Sequence, residues 1–355
     1  VAFAQTRGGG MTGAKLAAQL LLDLPDDGPD GPSGPSIARA LRVSGVLEEA
    51  VDLAHHPREP LALMNALAQL GQSSLSAGRI FEGHVNAVKL LNLHGGPIRP
   101  AKGGELYGIW GADGPDPVHI HNGVLQGQKL FASGADVLDQ IIVTARSDRG
   151  LNLILFPRKV LHGRLFPHEW QVSGMTSTAS GRCDLNGVAL SDGVILGEPD
   201  SYLTEPHFHG GVWRYAAVQM GAMRRLTMIT ADQLRRRDQV KAPLQAMRLH
   251  GMITACETAR LWLAQAATTV ERSGATPSDA QAAILARLRT AQEAVALLGL
   301  MDQALGAASF ATGHPADRIR RDLGLYLRQA NPDGMALAST ASIAADTNLS
   351  TRWIG

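Results

Sequence analysis

The chain has 355 residues, 45% of them hydrophobic, enough to bury more than one core, and its length predicts two or three domains. With 33 basic and 32 acidic residues the formal net charge is +1, which excludes nucleic-acid or membrane-surface binding carried by bulk charge. The two cysteines, Cys183 and Cys256, lie far apart without a CxxC spacing or a histidine partner, so neither a disulfide framework nor a zinc site is expected and a reducing cytoplasm is the simplest location. The opening stretch VAFAQTRGGGMTG has no apolar core of signal-peptide length, and no later run approaches the length of a membrane span.

Residues 1–97 read as a helical domain. Thr12 to Leu24 predicts a short amphipathic helix, and PDDGPDGPSGP (Pro25 to Pro35) predicts a loop. Apolar positions at helical spacing continue from Ile37 to Leu53. Pro60 to Leu93 predicts two helices, closed by His94-Gly95-Gly96-Pro97.

From 98 to 200 short apolar runs alternate with turn residues, the pattern of a small β barrel or sandwich. Expected strands are Glu105–Trp110, Pro117–His121, Leu125–Ala132, Gln140–Ala145, Leu151–Phe156, Val160–Leu165, Arg182–Leu185 and Val188–Leu190. Leu125–Ala132, the Ser133-Gly134-Ala135 turn and Gln140–Thr144 together predict a hairpin-like unit with small residues at its bend, against which a flat group could lie.

Residues 201–355 read as helical again. Long helices are expected over Trp213–Arg237 and Leu244–Ser273, and a third from Pro277 to about Phe310 unless Gly299 or Gly306 interrupts it. A short one begins at His314-Pro315, which makes a four-helix antiparallel bundle. The predicted class is α+β: an N-terminal helical domain, a central β domain and a C-terminal bundle.

That order, with several motifs, resembles the flavin-dependent acyl-CoA dehydrogenase superfamily. Gly127-Gln128-Lys129-Leu130-Phe131-Ala132-Ser133 is similar to the family's G-x-K-x-W-I-T strand, with Phe131 for the Trp and Ser133 for the Thr. Tyr107-Gly108-Ile109-Trp110 resembles the segment that ends in a flavin-contacting Thr, here Trp110. Gly174 to Ser180 resembles the G-x-R-x-S-x-T turn, which brings in Thr178 and Ser180. Gln303-Ala304-Leu305-Gly306-Ala307-Ala308-Ser309-Phe310 is similar to Q-x-x-G-G-x-G-F, followed by Pro315, Arg318 and Arg321-Asp322. Arg237 precedes Pro243 at the spacing of R-x-x-F-G-x-P, with Val240 and Lys241 in place of the Phe and Gly.

The resemblance implies FAD contacts at Trp110, Phe131, Ser133, Thr178, Ser180 and Arg237. In the family, the loop holding Gln303, Gly306 and Ala307 serves a flavin held mainly by the neighbouring subunit. A homodimer or tetramer is therefore implied, with acyl-CoA or another small molecule as substrate and an electron-transfer partner or flavin reductase beside it. The residues also carry plainer readings. Trp110 and Phe131 suit a core, Thr178 and Ser180 suit a turn, and Arg235-Arg236-Arg237 suits a helix end that complements the dipole. His207-Phe208-His209 reads as a polar loop, and Asp333 as a turn residue beside Pro332 and Gly334.

One departure stands out: the family's catalytic Glu falls on Ala330. The alternative position, in the second bundle helix, offers Glu257 as the only carboxylate before Glu271. The family's dehydrogenation therefore lacks an assigned base here. A flavin monooxygenase needing no such base, and a non-catalytic protein on the inherited fold, are the alternatives.

Overall fold

The structure, a computed structural model, describes residues 24, 30–48, 50, 60–98, 104–329 and 331–355. Most of the predicted Thr12–Leu24 helix, the start of the Pro25 loop and position 330 lie outside them.

Helix α1 (Gly34–Val43) starts where Ser33 Oγ accepts the Ser36 N–H at 3.3 Å and Pro35 fills the first turn. Helices α2 (Pro60–Ser73) and α3 (Leu75–His94) follow as expected, with Ser74 capping α3 through the Ala77 N–H. The first and last predicted helices of the β-to-bundle transition are equally legible. Helix α4 is Trp213–Arg236, α5 is Pro243–Glu271, α6 is Ala280–Leu305 and α7 is Pro315–Tyr326. Gly306, at φ +70°, ends α6, which resolves the expected alternative between Gly299 and Gly306. Two further helices, α8 (Pro332–Ala345) and α9 (Thr347–Trp353), complete the described chain. Asp333 thus lies in the first turn of α8, behind an Asn331 cap, rather than in a free turn.

Helices α2 and α4 meet backbone to backbone. A Cβ on Gly221 would stand 1.9 Å from the Ala68 carbonyl oxygen, and one on Gly71 would stand 2.0 Å from that of Val218. Any side chain there would force the two helices apart.

The β layer has two sheets. The six-stranded one runs β3 (Val124–Gln126), β2 (His119–His121), β5 (Gln140–Ser147), β6 (Gly150–Pro157) and β9 (Val194–Leu196), with β1 (Tyr107–Trp110) also parallel to β5. The smaller one is β4 (Gln128–Lys129), β8 (Arg182–Asp184) and β7 (Leu165–Phe166).

Three strand expectations are corrected. Leu125–Ala132 and Gln140–Thr144 are not a hairpin: β4 pairs with β8 in the small sheet, and β5 pairs with β1 and β6 in the large one. The tight hairpin lies one strand later, where Ser147 faces Gly150 across Asp148-Arg149. Val160–Leu165 is not a strand: Val160 and Leu161 end a 3-10 turn (Arg158–Leu161), a turn follows, and only Leu165 enters β7. Val188–Leu190 contributes only an isolated bridge at Ala189, while the unpredicted β9 supplies the edge strand.

The fully buried Lys129 ties the sheets together. Its ammonium pairs with Asp113 and donates to Thr144 Oγ1 on β5 at 2.7 Å. Helix α3 packs on β1, where the Tyr107 N–H donates to His84 Nδ1 at 3.1 Å. It also packs on the 3-10 turn Thr176–Thr178. Among the described residues no helix is long and apolar enough to cross a membrane.

Candidate cofactor site

The chain leaves β4 and turns sharply. Leu130 N–H donates to the Ala112 carbonyl at 3.1 Å, Phe131 adopts φ +54°, and the Ser133 N–H closes on the Phe131 carbonyl at 2.8 Å. A bulky residue at positive φ is strained backbone that its surroundings must hold. They do: Ala132 N–H donates to Gly181 O at 2.9 Å and Gly134 N–H to Thr178 O at 2.7 Å. The turn over 131–134 is thereby sewn to the turn over 175–181.

Side chains add a second row of stitches. Trp110, 2% exposed, donates its indole N–H to Ser133 O at 3.0 Å. Ser180 Oγ donates to Ser133 Oγ at 2.9 Å, and Thr178 and Ser180 share a hydrogen bond of 2.7 Å. Met175 O accepts from both Thr178 Oγ1 (2.7 Å) and the Trp170 indole N–H (2.9 Å). Five of the sequence-predicted residues, Trp110, Phe131, Ser133, Thr178 and Ser180, therefore meet in one place. Phe131 stands out of it, 58% exposed, with the Trp170 ring edge-on at 6.0 Å. Beside it Ser133 is half-buried, so a planar aromatic ledge has a hydroxyl at its rim.

Helix α7 braces this turn from behind. Asp322 Oδ1 accepts the Met175 N–H at 2.6 Å, and Arg321 Nη1 donates to Ser173 O at 2.6 Å. Burial pushes the Asp322 carboxyl up to about 6, against which the Met175 N–H and the charges of Arg318 and Arg321 work.

Arg237, Gln303, Gly306 and Ala307 form a separate group, and no hydrogen bond or ring contact among the described residues joins them to the Ser133 turn. Arg237 is the exposed C-cap of α4. Burial, with smaller contributions from the charges of Arg320 and Arg237, holds His314 below the ordinary imidazole range. Gln303, Gly306 and Ala307 are exposed, and a Cβ on Gly306 would meet nothing within 4 Å. Beneath the bend, Arg320 binds Asp302 (2.7 Å) and Ser309 O (3.0 Å) and lies 3.8 Å over the Phe310 ring.

Neither position considered for a base supplies one here. Glu257 lies exposed on α5, clamped through both oxygens by Arg260, whose hydrogen bonds pull its pKa down. Position 330 lies outside the described residues and is Ala in the sequence. His209 contacts Glu205, whereas His207 has a buried Nδ1 without a hydrogen-bond partner among the described residues, and burial lowers it to about 4.

The sequence reading missed a buried ionic network across α3, α4 and α5. Glu271 accepts from Lys89, from Arg214 Nη1 at 2.8 Å and from the Trp213 indole at 3.3 Å. Arg214 Nε donates to Asn86 Oδ1 at 2.6 Å, and Asn86 in turn donates to Glu82, which pairs with Arg79. The 79, 82, 86, 89 spacing on one helix was a legible signal, because it lays four polar residues along one face of α3.

Residues 203–327 match the family model described as "Acyl-CoA dehydrogenase, C-terminal domain". Solved structures match nearly the whole chain. The chain has the acyl-CoA dehydrogenase fold, and its bundle is similar to that family's C-terminal domain. Butyryl-CoA dehydrogenase from Megasphaera elsdenii superposes with a TM-score of 0.73 at 14% identity, covering 96% of this chain and 100% of that one. The dibenzothiophene monooxygenase TdsC from Paenibacillus sp. A11-2 gives 0.73 at 18%, covering 93% and 95%. KijD3 in complex with FMN and a dTDP-linked amino-keto sugar gives 0.75 at 15%, covering 96% and 95%. No curated protein sequence matches the chain.

Proposed function

We propose that the chain is an FAD-dependent oxidoreductase acting on an acyl thioester or a related acyl group at its CH–CH bond. The observation that carries this reading is the exposed Phe131 ledge, with Ser133 at its rim and both held rigidly by the Thr178–Ser180 turn. A bound flavin would supply a two-electron acceptor there. Phe131 would lie against its ring, Ser133 would offer a hydrogen bond at its edge, and the 175–180 turn would fix both.

The Gly306 bend of a second copy would approach the diphosphate with small residues and backbone N–H groups, helped by Arg237. Support for a second copy comes from uncovered apolar side chains near that bend: Leu244 is 65% exposed, Met247 71% and Phe310 53%. The N-terminal end of α5 lies against the end of α6, where Gln245 Nε2 donates to Ala304 O at 3.2 Å. The exposed Leu244 and Met247 therefore lie on the helix end nearest the bend, and apolar area of this kind is what association covers. Titration with FAD, read by visible absorption and thermal melting, tests the reading. Uptake with a rise in Tm is expected; a colourless protein with unchanged Tm refutes it.

A second reading, a flavin-dependent monooxygenase, is favoured by Ala330 and by the exposed Glu257, whose carboxylate is tied up by Arg260, so that neither position considered for a base offers an unclamped carboxylate. The first reading calls for an electron-transfer partner, the second for a flavin reductase. Anaerobic mixing of FAD-loaded protein with acyl-CoA separates them. Bleaching supports dehydrogenation, whereas turnover that needs both oxygen and reduced flavin supports the monooxygenase.

A further inference from the structure

Helix α3 is buried along nearly its whole length, yet between Leu75 and Leu91 two positions stay half-open: Arg79 and Asn86. They are seven residues apart, hence two turns along one face. Gly83 lies between them on that face. A Cβ there would meet nothing nearer than Arg79 Nη1 at 3.6 Å, whereas a Cβ on Gly78 would stand 2.4 Å from Val218 Cγ1. Gly78 is packed against α4; Gly83 floors a crevice.

The walls of this crevice are charged. Arg79 pairs with Glu82, and the arginine side chain is 15% exposed against 2% for the carboxylate, so the guanidinium is the group that faces the opening. The network behind it, Arg79, Lys89 and Arg214 against Glu82 and Glu271, holds one more cation than anions. Tyr326 lies close enough for its phenol to feel both Glu82 and Arg79, and its hydroxyl is buried without a partner among the described residues. An aliphatic tail placed here would desolvate the ion pair and leave that hydroxyl unsatisfied. An oxyanion would instead take a fork from Arg79 and a hydrogen bond from Tyr326. The same helix packs on the Thr176–Thr178 turn and, through His84 beside Gly83, on β1, the strand that ends in Trp110.

We propose that the Arg79–Gly83–Asn86 crevice is a subsite for an oxyanion, namely a carboxylate-bearing end of the substrate rather than a plain hydrocarbon tail. This deepens the flavoenzyme reading and rests on it for the word substrate, but binding is measurable without turnover. The test is calorimetric titration of the full chain with succinate and with its uncharged analogue succinamide. Succinate should bind at least about tenfold more tightly, the scale of one charge-assisted hydrogen bond. Glu82→Gln, which frees Arg79, should tighten succinate further. The double variant Arg79→Gln/Glu82→Gln, which leaves no unpaired charge, should reduce succinate to the level of succinamide. If that variant does not fold, Arg79→Lys, which keeps the charge without the fork, should still weaken succinate. Equal binding of acid and amide, no succinate binding, or affinity unchanged in the Arg79 variants would each overturn the proposal. FAD uptake by the same samples reports separately, so loss of the subsite and loss of the flavoenzyme reading are told apart.

Discussion

Around Ser133 the polar side chains are hydrogen-bonded within the chain, whereas the Gln303–Phe310 bend leaves its glycine, its glutamine and its phenylalanine facing outward. Both stretches were singled out by the same family resemblance, yet they are stabilised differently. The Ser133 turn is held by folding itself, through a buried indole and a row of backbone hydrogen bonds. The Gly306 bend is held from beneath, by Arg320, by Gln245 on Ala304 O and by its own Ser309–Gly306 hydrogen bonds, and its outer side is exposed among the described residues. A site divided this way keeps its shape on one side and depends on association for the other.

Substitutions can break or sharpen that contrast. Trp110→Ala removes a fully buried indole and should cost about 3–5 kcal/mol in denaturant unfolding. Phe310→Ala, at the exposed bend, should cost no more than about 1 kcal/mol by the same measurement. Comparable losses at both would erase the distinction.

Asp322 gives the next largest effect, through pH. Its folded pKa of about 6 lies above the ordinary 3.8, so the folded state binds this proton more tightly. The stability it contributes is full below about pH 4 and is lost as pH rises through 6, a swing on the order of 2–3 kcal/mol. Asp322→Asn should flatten the profile of Tm between pH 4 and 6 relative to wild type.

Gly306→Ala places a Cβ at φ +70° and should cost about 1 kcal/mol in stability while lowering FAD affinity, read by titration. Phe131→Ala removes an exposed ring that makes one edge contact with Trp170. It should shift stability least, by about 0.5 kcal/mol, while weakening FAD binding clearly.

The helices were largely legible because their apolar spacing and caps are local: Ser74 before α3, Pro243 at the start of α5 and Gly306 after α6 all stand in the sequence. The hairpin was misread because a strand–glycine–strand pattern does not say which sheet each strand joins. Lys129 and Gln140 belong to different sheets, and what separates them is a helical turn, closed where Leu138 N–H reaches Gly134 O at 3.0 Å. Val188–Leu190 and Val194–Leu196 are equally apolar, and only pairing with β6 selects the second. At the candidate site the motif residues near Ser133 could be read, whereas the polar spacing on α3 was legible only as a face and not as a network, because its partners lie on other helices. Lys89 meets Glu271 across 182 residues, and each looks like an ordinary charged helix residue until the bundle closes.

The most direct measurement of a site shared between two copies is complementation. Phe131→Asp spoils the ledge in one chain and Gly306→Val spoils the bend in another. Unfolded together and refolded, the mixture should recover FAD to roughly a quarter of the wild-type content, the share expected from random pairing in a two-fold dimer, while neither variant alone binds it. A mixture as empty of flavin as its components, or a single variant that fills with flavin unaided, would contradict the account.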